Sequence, residues 1–304
     1  MLKSGNFMPV SALERVAHPQ TEITAFAKRD YTMHGADYLL WDEEGGAHFG
    51  WWELGMGLRD RAAMIGEMSQ QVISRLGLPT DRQVKVAGFG CGAGGTERIL
   101  AQAYPLAKVA GLSLPGAQLD LGQQITREKG LLDQVSLVGG DYFHPPFADA
   151  SFDGVMGVEA WCYAKKMADI FHQAHRVLKP GGRVVVADAL FRHSHPHPIT
   201  QKIYEIWHHH GWRAVLTPKD QLLEELLALG FLDVRIEDIS GHVIPTVAHA
   251  VIMATKYIAE NMISSNSVDV QKNRHHLVAA YTTALMGACI KDVGYFVISA
   301  TKDK

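Results

Sequence analysis

The chain has 304 residues, 47% of them hydrophobic and 20% charged, with a net charge of −3 at neutral pH. That balance suits a globular protein that buries its core without staples, and it lacks the basic field that would announce nucleic acid or an anionic membrane. The three cysteines, Cys91, Cys162 and Cys289, are widely spaced; they read as reduced thiols of a cytoplasmic protein rather than a disulfide framework. No run approaches about 18 uninterrupted apolar residues, so no membrane span is expected. Residues 1–10 lack the apolar stretch of a secretory leader.

In chain order, residues 1–80 read as a helical N-terminal segment and lid. It contains an aromatic and glycine-rich stretch at 38–57 and a helix over 59–76 that Gly77 and Pro79 terminate. From Val84 the pattern changes. Apolar strands at 84–89, 107–112, 135–138, 152–158 and 183–189 alternate with helices at 96–104, 118–129 and one ending near 178. That alternation predicts a doubly wound, mostly parallel sheet covered on both faces. Lys179-Pro180-Gly181-Gly182 predicts a sharp turn between helix and strand. A helix is expected from Thr217-Pro218, with Thr217 as N-cap. Strands follow at 231–239 and 293–301, giving seven in all. Residues 81–304 therefore form one α/β core, with helical cap insertions at about 191–217 and 242–290.

Between the first strand and its helix lies Gly88-Phe89-Gly90-Cys91-Gly92-Ala93-Gly94-Gly95. Glycines let a backbone approach a ligand closely and adopt positive φ. The free N–H groups of the following helix favour a carboxylate or other anion. The spacing of Gly90, Gly92 and Gly95 also satisfies the dinucleotide pattern. A ribose-binding acid near the end of the second strand would be expected for either a nicotinamide or a sulfonium cofactor. That end reads Gly111-Leu112-Ser113-Leu114, so this test leaves both open.

Further motifs lie along the chain: His48-Phe49-Gly50, the glycine loop, Gly111-Leu112-Ser113, Gly140-Asp141, Glu159-Ala160-Trp161-Cys162-Tyr163-Ala164 and Leu178-Lys179-Pro180-Gly181-Gly182. With them the sequence resembles class I S-adenosylmethionine-dependent methyltransferases, and among them the sterol, tocopherol and terpenoid C-methyltransferase group. The resemblance implies S-adenosyl-L-methionine as cofactor and a Rossmann-like methyltransferase fold. It implies donor contacts from Tyr38, Gly88, Phe89, Gly90, Gly92, Leu112 and Glu159. Ser113 and Gln118 match the arrangement that replaces the ribose carboxylate in some members, and Asp141 and Tyr142 match the adenine-binding loop. Tyr163 departs from the group, which usually carries His after the Cys.

An alkene acceptor becomes a carbocation on methylation and must then lose a proton. Such a site wants a carboxylate, aromatic faces and a base. Glu159, just past the fourth strand, is the candidate carboxylate, with His48 and Tyr163 as further catalytic candidates. Trp51, Trp161, His193, Tyr204, Trp207 and His208 are candidate substrate contacts. The run His193, His195, His197 and His208-His209-His210 lacks the fixed Cys/His spacing of a zinc site, and no metal is expected. The expected partner is a small apolar metabolite, with no nucleic acid and no membrane span, and the helical N-terminal arm makes a homo-oligomer plausible. An O- or N-methyltransferase with a His base, a nicotinamide oxidoreductase and a non-catalytic binding module are the competing readings.

Overall fold

In the computed structural model the described residues are 41–210, 214–264 and 270–304. The N-terminal segment before residue 41, including Tyr38, lies outside them. Helix α1 spans Arg61–Arg75. Its first turn is capped by the Asp60 carboxylate, which accepts from the Ala63 N–H at 3.1 Å. Met64, Ile65, Met68, Val72 and Ile73 recur at helical spacing and are all buried.

The strands follow from runs buried on both faces. β1 (Val84–Phe89) leads to α2 (Gly95–Ala103), β2 (Ala107–Ser113) to α3 (Ala117–Glu128), and then come β3 (Val135–Gly139) and β4 (Phe152–Val158). A short 3-10 turn at Trp161–Tyr163 precedes α4 (Met167–Val177), which leads into β5 (Leu178–Phe191). Next come α5 (Pro198–His210), α6 (Lys219–Ala228), β6 (Phe231–Asp238), α7 (Ser240–Ser264), α8 (Val270–Ala288) and β7 (Val293–Lys302). The sheet order is β3-β2-β1-β4-β5-β7-β6. The first five strands run parallel, and β7 pairs antiparallel with β5 and β6. The order reverses between β1 and β4, which opens a crevice at the strands' carboxyl ends, where ligands bind in such sheets.

One apolar layer packs Ala87, Phe89, Val155, Ile170, Phe171 and Leu226 on one face; the other packs Met68, Val72, Val86, Leu100, Val109 and Val297 on the opposite face. Apart from Ala87, each such side chain contributes about 1.5–3 kcal/mol on burial. A third cluster joins Cys162, Phe191, Trp207, Ala214, Leu216 and Met286, seating α5 and α8 above the carboxyl edge of β5. Trp207 Nε1 donates to Thr283 Oγ1 at 2.9 Å and ties the two helices together.

Two boundaries differ from the sequence reading. The Lys-Pro-Gly-Gly segment lies within β5, because Leu178 already pairs with Phe152 before a register irregularity leads on to the Gly154–Arg183 pairing. Gly181, with φ +74°, makes the bend. Helix α6 starts at Lys219 with Pro218 extended before it. Thr217 is held instead by the sheet, its carbonyl accepting the Phe191 N–H at 3.1 Å. Among the described residues no helix is long and apolar enough to cross a membrane.

Candidate active site

The floor of the crevice is the glycine loop. Gly90 has φ +83° and Gly92 φ +54°, a region L side chains avoid. A β-carbon on Gly90 would lie 2.3 Å from that of Ala160, and one on Gly92 would lie 3.0 Å from Nε2 of Gln118. The loop is pinned to β2, since the Leu112 carbonyl accepts the N–H groups of Gly90 and Cys91 at 2.8 and 3.0 Å. Gln118 is buried in the first turn of α3 and reaches toward Gly92. Ser113 is buried at the end of β2, its carbonyl accepting the Gly140 N–H at 2.8 Å. Tyr142 spans the crevice, donating its hydroxyl to the Ala160 carbonyl at 3.1 Å. Gly90, Gly92, Gln118, Ser113 and Tyr142 are thus brought around one opening.

Glu159 stands at the end of β4 with φ +47°. A glutamate in this left-handed region carries strain of about 1–3 kcal/mol and persists only where its surroundings hold it. Its N–H donates to the Ala187 carbonyl at 2.9 Å. Its Oε1 accepts from the Phe49 N–H at 2.6 Å and from the Tyr295 hydroxyl at 2.7 Å. The residue is partly open to the crevice while the carboxyl group is enclosed by protein. Burial raises its pKa to about 8, and the bonds from Tyr295 and Phe49 oppose the shift.

Behind it, Asp188 is fully buried. Its Oδ2 accepts from the Trp161 and Cys162 N–H groups at 3.2 and 3.0 Å, and its Oδ1 from the Ala189 N–H at 2.9 Å. It holds the 3-10 turn that follows Glu159, and its own burial raises its pKa to about 6. Neither Asp188 nor Tyr295 was expected from the sequence. The signal for Tyr295 is its place at the start of β7, opposite Ala189, which only the sheet topology reveals.

Several expected site residues sit elsewhere. Trp161 is not a pocket wall: it is fully buried between Phe89 and Phe171, with its indole N–H on the Phe89 carbonyl at 3.0 Å. Gly157 admits it, since a β-carbon there would lie 2.3 Å from Nε1. The Phe89 ring likewise belongs to the core, stacked on Phe147. Trp51 stacks on His242 of α7 at 3.8 Å, with the Arg75 guanidinium on its ring, and packs on the α1 side of the sheet rather than over the crevice. Gly88 faces the Glu97 carboxylate rather than the opening. Asp141 accepts the Phe143 N–H at 2.9 Å and so caps its own turn.

His48 is buried, and burial lowers its pKa. Its Nδ1 lies 2.9 Å from the Phe49 carbonyl and its Nε2 3.5 Å from Ser69 Oγ. The segment therefore reaches Glu159 through the Phe49 backbone, not through the imidazole. His193 pairs with Asp292 at 3.2 Å on the outside of the cap. His208 Nδ1 lies 2.9 Å from the Ala214 carbonyl and its ring lies beside Tyr204. Tyr163, Tyr204 and Trp207 converge in or against the third apolar cluster beside the carboxyl edge. Among the described residues no group of three or more His, Cys, Asp or Glu is placed to hold a metal ion.

Residues 87–186 match the methyltransferase domain family. Methyltransferase phqN of Penicillium fellutanum is 29% identical over 159 residues, 52% of this chain and 48% of that protein. Methyltransferase GfsG of Streptomyces halstedii is 34% identical over 146 residues, 48% of this chain and 51% of that protein. A sterol 24-C-methyltransferase of Eremothecium gossypii is 41% identical over 97 residues, 32% of this chain and 26% of that protein. The chain thus spans about half or less of the length of these relatives. Two solved structures share the fold. The [4+2]-cyclase SpnF aligns with a TM-score of 0.72 at 21% identity, over 91% of this chain and 95% of that one. Geranyl diphosphate C-methyltransferase from Streptomyces coelicolor aligns with a TM-score of 0.67 at 17% identity, over 94% and 100%.

The sheet order, the glycine crevice and these matches define the class: the chain carries a class I S-adenosylmethionine-dependent methyltransferase domain. Sterol C-methyltransferases are among the proteins to which this part of the chain is similar.

Proposed function

We propose that this chain transfers a methyl group from S-adenosylmethionine to carbon of a small, largely apolar acceptor of the prenyl or terpenoid kind. The observation that carries this reading is Glu159, a single enclosed carboxylate whose neighbour Ala160 abuts the donor loop at Gly90. Gly90 and Gly92 hold a left-handed backbone packed against Ala160 and Gln118, a main-chain turn that suits a ligand lying against the backbone. In this reading Gln118 and Ser113 meet ribose hydroxyls, and Tyr142 lies on the adenine side. The donor supplies an activated methyl on a sulfonium, so the protein's task is to position, to exclude water and to manage the acceptor's charge.

A methylated alkene is left cationic and must lose a proton. Glu159 meets both needs: its charge stabilises the cation, and its unspent oxygen takes the proton. A cation beside it favours the ionised form, against the burial that raises its pKa. We further propose that α5, α7 and α8 form the cap, with Tyr163, Tyr204, Trp207 and His208 on the acceptor side. The cluster they join is apolar, which suits a hydrocarbon acceptor. Transfer to oxygen or nitrogen uses at most a base such as histidine, but His48 and His193 are engaged away from the crevice, and His208 turns its Nδ1 to the Ala214 carbonyl.

The test is incubation with methyl-deuterated donor and a panel of prenyl, terpenoid, phenol and amine acceptors, with the label located by NMR. The reading expects label on a carbon of an alkene acceptor. Label only on oxygen or nitrogen would overturn it.

A further inference from the structure

A second carboxylate lies behind Glu159. Asp188 is only 1% exposed. It follows Ala187 in β5, which pairs with Val158 at the end of β4 and whose carbonyl accepts the Glu159 N–H at 2.9 Å. The N–H groups of Trp161, Cys162 and Ala189 occupy its two oxygens, and the Cys162 thiol adds a further bond. Among the described residues no lysine, arginine or histidine forms an ion pair with it. Peptide N–H dipoles therefore hold this anion without cancelling its charge.

The titratable groups that bear on Asp188 are Glu159 at the end of β4, Cys162 on the 3-10 turn and Tyr295 on β7. Burial pushes the Cys162 thiol and the Tyr295 phenol up, so both stay neutral around pH 7. Asp188, raised only to about 6, is ionised there. A net charge sealed in a low-dielectric interior acts over several ångströms, since no water screens it. The turn that Asp188 holds reaches every side of the site. The Ala160 carbonyl accepts the Tyr142 hydroxyl, Trp161 Nε1 donates to the Phe89 carbonyl by the glycine loop, and the Cys162 carbonyl accepts the Val215 N–H of the cap at 2.6 Å. Glu159 opens to the crevice and can exchange a proton there, whereas Asp188 is shut behind it and keeps its charge.

We propose that Asp188 is a positioning residue for methyl transfer, a fixed negative charge that holds the turn after Glu159 and stabilises the acceptor cation from behind; this rests on the reading above that a cation forms beside Glu159. Such a preorganised charge costs no rearrangement as the cation develops.

The experiment measures, by calorimetry with S-adenosylhomocysteine bound, the affinity of a prenyl trimethylammonium ion and of its neutral tert-butyl isostere. The ammonium copies the acceptor cation and cannot titrate. At pH 7.5 wild type is expected to prefer the ammonium. Asp188→Asn is expected to cut that preference about tenfold while binding the isostere within about twofold of wild type. A role confined to holding the turn would weaken both ligands alike. An unchanged preference in Asp188→Asn, or equal weakening of both ligands, overturns the proposal and leaves the cation reading standing; wild type without a preference ends both. Should Asp188→Asn fail to fold, Glu159→Gln decides. With Glu159 replaced by a neutral group, a preference for the ammonium is expected to remain at pH 7.5 and to fall as pH drops through about 6. A preference that is absent, or constant with pH, contradicts the assignment.

Discussion

The hydroxyl of Tyr295 donates to Oε1 of Glu159 at 2.7 Å, across 136 positions of sequence. The bond joins the end of β4 to the start of β7, two strands away, and fixes a carboxylate whose backbone is already strained. Tyr295→Phe keeps the ring and deletes the bond. It should cost about 0.5–1.5 kcal/mol in urea unfolding. Because the bond opposes the burial-driven rise of the Glu159 pKa, its loss should move the rising limb of kcat/KM to higher pH. A limb that stays in place would show that Tyr295 does not position this carboxylate.

Glu159→Gln preserves an oxygen to accept from Phe49 and Tyr295 and removes the charge. If Glu159 handles the acceptor's cation and proton, kcat should fall about a hundred- to ten-thousandfold. Affinity for adenosylhomocysteine should change little. Steady-state kinetics with calorimetry separates the two, and near-normal kcat would remove Glu159 from the chemistry.

Stability should depend on pH in a stated direction. Burial raises Glu159 to about 8, Glu97 to about 7 and Asp188 to about 6. Each binds its proton more tightly folded than unfolded. Their contribution is therefore full below the ordinary carboxylate range and is lost as pH rises through these values. His48 and His175, both lowered by burial, act oppositely as pH falls below the ordinary histidine value, but they are two groups against three. Asp153, Asp220, Asp238 and Asp292 are lowered, so they matter only in acid. The ligand-free Tm should be lower at about pH 8.5 than at about pH 5.5, and a flat or rising profile contradicts this.

Gly90→Ala places a β-carbon 2.3 Å from that of Ala160 on a backbone at φ +83°. The left-handed backbone costs about 1–2 kcal/mol and the overpacking about 1–3 kcal/mol more. Denaturant unfolding should register that loss, and donor binding should fall with it. Wild-type stability would mean that the loop is not packed as described.

The strands and the glycine loop were legible because they rest on local patterns: apolar runs, helical spacing, and glycine where a backbone must turn. The doubly wound, mostly parallel sheet followed from alternation; its strand order is seen only in the structure. What escaped the sequence depends on distant pairings. Asp188 lies inside a strand that reads as purely apolar packing, and its role exists only because the 3-10 turn folds back over it. Glu97 looks like an ordinary first-turn helix acid until Gly88 is seen to make room for it. Trp161 follows a site carboxylate closely and reads as a pocket aromatic, yet Gly157 draws it into the core. The histidine run, conspicuous in sequence, is spread over a cap: His193 bonds Asp292, His197 accepts from Ile199 and His208 turns to a carbonyl.

The most direct test of the central claim is a crystal structure with S-adenosylhomocysteine. The account predicts the ligand in the crevice beside Gly90 and Gly92, its amino-acid end at the start of α2 and its sulfur facing Glu159. A crevice left empty beside Gly90 at saturating ligand, or the ligand bound elsewhere, would contradict it.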